Sequence, residues 1–207
     1  MRAWWRPVSR GAGVRTGPVV RGAPLAGWLA TALVLAGARP AAALLPPQPQ
    51  LQWRAGFLWG LNEQVHGLDW GAGVKLPLQP SELGIATLGA SIQGALTSGP
   101  AEWDFRLSAL IESYRTGRPS FGVYYTLRRF PFLDGTLAGI GLRYGSLAAA
   151  YYPAMWNREV PALAPDRAVW VVEPGWFSGL YLQFRYAALS DGGPSSLRLA
   201  AGLEENW

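Results

Sequence analysis

From Leu51 onward, apolar and polar residues alternate one for one along the chain. In Gly67–Leu78 (GLDWGAGVKLPL), Leu68, Trp70, Ala72, Val74, Leu76 and Leu78 fall on one side, while Gly67, Asp69, Gly71, Gly73, Lys75 and Pro77 fall on the other. A period of two is the pattern of an extended strand whose side chains point to opposite faces. A helix is disfavoured, because each interior glycine costs it about 1 kcal/mol relative to alanine. The same alternation predicts strands over Leu51–Gly60, Leu83–Leu96, Trp103–Tyr114, Phe121–Phe130, Thr136–Gly145, Phe177–Ala188 and Ser196–Trp207. Trp103, Leu107, Leu110, Ile111 and Tyr114 also fit a helical stripe, but the neighbouring segments favour a strand there. Gly-, Pro- and Ser-rich turns separate the runs: Gln79–Glu82, Thr97–Glu102, Arg115–Ser120, Pro131–Gly135 and Leu189–Ser195. Strand, turn, strand in regular succession is the grammar of an antiparallel meander.

Between Gly145 and Phe177 the pattern is less regular. Ser146–Met155 reads as a seventh strand, Trp156–Asp166 as a longer loop, and Arg167–Glu173 as a short β-branched strand that ends at Pro174-Gly175, making Glu173–Trp176 a tight turn. That gives ten strands; treating Tyr151–Gly175 as one long connection gives eight. Ten is preferred, because it keeps the connections short at the end that holds both termini. The expected fold is all-β: an antiparallel up-and-down transmembrane β-barrel. Spanning strands need about 9–11 residues, whereas ordinary strands average about 5–6. The minority face carries glycine and isolated charges, unlike the Lys, Glu and Thr of a solvated sheet. Aromatic residues gather near strand ends (Trp53, Trp59, Trp103, Phe121, Phe130, Tyr144, Trp176 and Trp207), as in the girdles at membrane interfaces. Closure would satisfy backbone groups that lipid leaves costly. An exported water-soluble β protein is the competing reading.

The net charge of +5 changes meaning once its position is considered. Residues 1–43 hold six arginines (Arg2, Arg6, Arg10, Arg15, Arg21 and Arg39) and no acid, which leaves 12 bases against 13 acids in the remainder. The basic balance therefore belongs to the leader and gives no indication of a nucleic-acid partner. A basic start, an apolar core over Leu25–Ala38 and Ala41-Ala42-Ala43 as an A-x-A site make residues 1–43 a secretory signal peptide, with translation starting at Met1 or later, near Val20. An uncleaved anchor is the alternative, although the 14-residue core is shorter than the ~20 a spanning helix wants. Residues 44–50 are a Pro-rich lead-in, and 51–207 form the barrel. No cysteine is present, so neither a disulfide nor a lipid-bearing cysteine contributes.

Candidate chemistry is sparse. The single histidine, His66, sits beside Glu63 in a loop, no serine lies in a nucleophile motif, and Asp134-Gly135 and Asp191-Gly192-Gly193 are turn sequences before they are calcium ligands. No catalytic, metal or cofactor site is expected. The remaining constellation is the set of charges on the minority face: Arg54, Lys75, Arg106, Arg128, Arg143, Arg185 and Arg198 against Asp69, Asp104, Glu112 and Glu204. These predict a paired network filling a narrow lumen. Their excess of base, seven to four, makes a narrow anion-preferring pore the alternative.

Alternating strands behind a signal peptide, ending on an aromatic residue, resemble the small single-chain outer-membrane β-barrel proteins of Gram-negative-type envelopes. The resemblance covers Leu51–Trp207 at the level of class. It implies an outer-membrane location, a monomer in contact with outer-membrane lipids, and a last strand recognised by the barrel-assembly machinery. Leu199, Ala201, Leu203 and Trp207 fit that recognition signal, whereas Glu205 stands at a position where the class has an apolar residue. Enzymes of this architecture, such as lipid A deacylases, palmitoyl transferases, phospholipases and omptin-type proteases, mostly depend on a histidine near a serine or carboxylate. A barrel enzyme would therefore have to use His66. The expectation is a structural or interaction protein.

Overall fold

A computed structural model describes residues 48–80, 83–113, 119–163 and 167–206. The signal segment, Tyr114 and Trp207 lie outside these residues. Ten strands follow one another: β1 (Gln50–Gly60), β2 (His66–Pro80), β3 (Ile85–Thr97), β4 (Glu102–Glu112), β5 (Phe121–Arg129), β6 (Thr136–Tyr144), β7 (Leu147–Pro153), β8 (Ala168–Ser178), β9 (Leu180–Leu189) and β10 (Ser195–Asn206). Each pairs antiparallel with the next, and β1 pairs with β10 from Gln52↔Asn206 to Gly60↔Arg198, closing an up-and-down barrel. We call the end where β1 begins and β10 finishes the lower end.

Two boundaries correct the sequence reading. Glu102 opens β4, opposite Ala95, and does not belong to the preceding turn. β8 runs through Pro174-Gly175 to Ser178, so the turn falls at Gly179, whose φ of +75° lies in the left-handed region that favours glycine. Proline has no N–H to give a ladder. Pairing with β9 accordingly lapses after Val172↔Tyr186 and resumes at Gly175↔Gln183 in the same register.

The alternation sets the two faces. Trp53, Phe57, Leu68, Val74, Ile92, Leu142, Val172, Leu182, Phe184 and Leu203 are exposed on the outer wall. Leu58, Asp69, Asp104, Thr126, Arg128, Glu173, Arg185 and Arg198 are buried inside. Near the upper end, on the β5–β9 side, the interior is apolar. Phe130, Leu133, Val160 and Leu163 from the connections pack against Leu137, Tyr152, Val169 and Leu189 from the strands. Phe130, expected in an outer girdle, instead sets its ring edge-on against Tyr152 with centroids 5.0 Å apart, and it is buried. Its inward position continues the alternation of Tyr124, Thr126 and Arg128 one step past β5.

The β6–β7 seam is short, from Ile140↔Tyr151 to Tyr144↔Leu147. Above it β7 ends at Pro153, and a single 3₁₀ turn over Ala154–Trp156 leads into the long connection. Asn157 fills the missing rung: its Oδ1 accepts from the Ala138 N–H at 2.6 Å, and its Nδ2 donates to the carbonyls of Ala138 at 2.9 Å and Pro153 at 2.7 Å. One buried amide thus replaces the strand contact that a proline-terminated β7 does not supply.

Candidate functional site: the charged lumen

Because alternate residues of every strand point inward, charges distant in sequence meet across the lumen. Asp69 of β2 accepts from Arg185 Nη2 and from Tyr181 Oη, each at 2.7 Å, and lies 3.4 Å from Arg54 Nε. Gln183 Oε1 accepts from both Arg54 Nη1 (3.1 Å) and Arg185 Nε (3.2 Å). Two guanidiniums therefore share one carboxylate and one amide.

The second cluster is larger. Glu173 takes Arg106 Nη2 on one oxygen and Arg128 Nη1, at 2.6 Å, on the other. Glu102 takes Arg128 Nη2 at 2.6 Å and Arg198 Nη1 at 2.7 Å. Asp104 accepts from Arg106 Nη2 (2.5 Å), Thr126 Oγ1 (2.5 Å) and Gln93 Nε2 (3.1 Å). Glu63, in the β1–β2 connection, reaches down to Arg198 Nη2 at 2.9 Å. Charge-assisted and partly bidentate bonds of this kind make buried ions tolerable. Lys75 and Glu112 form a separate, half-exposed pair at 2.7 Å.

Two members of the predicted network stand apart. Arg143 and Glu204 form no ion pair among the described residues. The register explains both. Arg143 is flanked by Gly122 on β5 and Ala148 on β7, so no adjoining strand offers it an acid, and its Nε donates to the Gly145 carbonyl at 3.1 Å. Glu204 is opposite Arg54, but Arg54 turns to Asp69 and Gln183.

Sequence reasoning missed Glu63, Glu102 and Glu173, the first as a loop residue and the other two as parts of turns. Adding them to Asp69, Asp104, Glu112 and Glu204 gives seven acids opposite the seven bases. The excess of base that favoured an anion-preferring wall therefore vanishes over the described residues of the lumen. A signal for two of them was available. Glu102 continues the inward series Asp104, Arg106, and Glu173 continues Val169, Val171. Tyr181, Gln183, Thr126 and Gln93 complete the polar contacts.

The inward glycines provide room. A Cβ on Gly141 would stand 2.2 Å from the Tyr124 ring, and one on Gly71 would stand 3.0 Å from Arg54 Nε. Tyr124 in turn lies under the Arg106 guanidinium, 5.0 Å from its ring centroid. Beneath and beside the ion clusters the lumen keeps a cavity of about 120 Å³, bordered by Arg54, Arg106, Tyr124, Arg143, Glu173 and Glu204 and reaching Ser146, which is exposed in the β6–β7 turn. Above it lie the ion clusters and the apolar plug.

The other candidates are not assembled. His66 is exposed at the first position of β2, whereas Glu63 turns inward to Arg198. Asp191 Oδ1 accepts from the Gly193 N–H at 3.2 Å, which is turn chemistry, and its Oδ2 meets Arg167 at 2.7 Å. Among the described residues no three His, Cys, Asp or Glu side chains group as a metal site. Of the proposed C-terminal signal, Leu199 and Ala201 are half-buried and Leu203 is exposed on the outer face, where Glu205 is exposed too.

No protein-family model, curated protein or solved structure matches this chain. What the geometry defines is a class of architecture: a closed ten-strand β-barrel with a filled and ion-paired interior.

Proposed function

We propose that the protein is an integral β-barrel of the outer membrane, exported through its N-terminal segment, with a structural or interaction role and a plugged lumen. The observation that carries this reading is the inverted distribution of polarity. The closed wall exposes large apolar side chains on β1, β2, β3, β6, β8, β9 and β10, while its fully buried side chains include Arg128, Arg198, Glu173 and Asp104. A water-soluble barrel would do the reverse. Contiguous apolar surface of this extent marks contact with lipid or another protein, and a band that encircles a closed sheet is what a bilayer covers. Trp59 and Trp170 toward the upper rim, with Trp53, Phe121 and Tyr144 toward the lower one, are exposed where interfacial aromatic rings would stand. The partners on this reading are the surrounding lipids and, during biogenesis, the assembly machinery.

The reading is tested by gel mobility and fractionation. Unheated protein in detergent is expected to migrate differently from boiled protein and to sediment with outer membranes. A soluble periplasmic pool whose mobility heat does not change would defeat the proposal. The plugged lumen has its own readout. Ion clusters and an apolar plug fill the barrel above the lower cavity, so planar bilayers containing purified protein are expected to stay electrically silent. Regular conductance steps would restore the pore.

A further inference from the structure

The ion pairs are unevenly distributed between the two clusters. The upper set joins Arg106, Arg128 and Arg198 to Glu63, Glu102, Asp104 and Glu173, one acid more than its bases. Among the described residues, the set beside the lower cavity joins Arg54 and Arg185 to one acid, Asp69, one base more than its acids. Asp69 is closer to Arg185 (2.7 Å) than to Arg54 (3.4 Å), so the surplus falls on Arg54. The Arg54 side chain is 10% exposed, and its Nη2 has no hydrogen-bond partner. A buried cation in that state needs a counter-charge. The cavity beside it also borders Tyr124, whose buried Oη has no partner, and Arg143, which makes no ion pair among the described residues and donates its Nε to the Gly145 carbonyl. At about 120 Å³ the space exceeds by far what a single water needs, about 10–15 Å³ on the same kind of measure.

We propose that this lower cavity is a binding site for one small oxyanion, a carboxylate or phosphate group. Arg54 holds it from the β1 wall, Arg143 from the β6 wall, and the Tyr124 side chain borders it from β5. Guanidinium geometry suits such groups, because its forked N–H donors match two oxygens. Glu204, opposite Arg54 in the register, sets the limit on affinity, since its unpaired carboxylate repels the ligand from the rim. The site admits free anions from the lower mouth, because the closed wall separates it from the apolar surface outside.

The test is calorimetric titration of the full chain, folded in a zwitterionic detergent, with inorganic phosphate and separately with acetate. Saturable binding of one ion per barrel is expected for at least one probe. Arg54→Gln and Arg143→Gln should each weaken it at least tenfold, Glu204→Gln should tighten it several-fold, and Arg129→Gln, a change at an exposed base outside the lumen, should leave it unchanged. Because Arg143 and Glu204 lie outside the ion-paired network, their variants keep the test decisive even where Arg54→Gln does not fold. Absence of saturable binding with both probes overturns the site. So does binding that Arg143→Gln and Glu204→Gln leave unmoved, or that Arg129→Gln weakens equally.

Discussion

Glu173→Gln is expected to lower the free energy of unfolding by about 3–5 kcal/mol, read as a fall in the urea midpoint of the detergent-folded barrel at constant slope. Glutamine keeps the shape but removes the charge that Arg106 and Arg128 share. Each guanidinium would retain one carboxylate, Asp104 or Glu102, and Arg128 is too deeply buried to recover its water. The contrast is Lys75→Gln. That pair is 20% and 32% exposed, water screens it, and its loss should cost no more than about 1 kcal/mol. Equal midpoints for wild type and Glu173→Gln would mean that the Arg106–Glu173–Arg128 cluster does not stabilise the barrel.

Ile92→Arg carries the second large effect, and it separates the two environments in which such a wall can stand. Ile92 is exposed on the outer face near the middle of β3, opposite Phe105. In a bilayer an arginine at that depth is expected to cost about 2–4 kcal/mol in refolding into lipid vesicles. On a water-facing sheet an exposed substitution stays within about 0.5 kcal/mol. Phe184→Arg on β9 should behave alike on the far side of the barrel. No penalty at either position would remove the membrane from the interpretation.

The architecture was legible in the sequence to the extent that side chains obey a period of two. β1, β2, β5, β6 and β9 show it without interruption, and the bases of the lumen were identified because they lie within the alternating runs. The acids were harder, since two of the three missed ones adjoin turn-forming residues. Pro100-Ala101 precedes Glu102, and Pro174-Gly175 follows Glu173. Proline and glycine report local backbone preference, and a ladder with partners on both sides can override that preference at the loss of one rung. Which charges pair was not legible at all. Glu204 faces Arg54 in the register and still does not bind it, because the choice depends on what Asp69, Gln183 and Arg185 present across the lumen. Phe130 failed for a related reason: an aromatic residue at a strand end can point either way, and only the alternation of Tyr124, Thr126 and Arg128 decides.

The ring closure has a consequence for how the protein comes to exist. Neighbouring strands zip locally, but the β1–β10 seam joins the two ends of the meander. The polar bonds made with it span long stretches of chain: Arg54 to Gln183 across 129 residues, Tyr181 to Asp69 across 112, and Arg198 to Glu63 across 135. None of these can form in an open sheet. A meander that entered an apolar phase before closing would carry its arginines there unpaired. Closure and desolvation are therefore expected to go together, and loop-closure entropy makes the meeting of the first strand with the last the expected slow step.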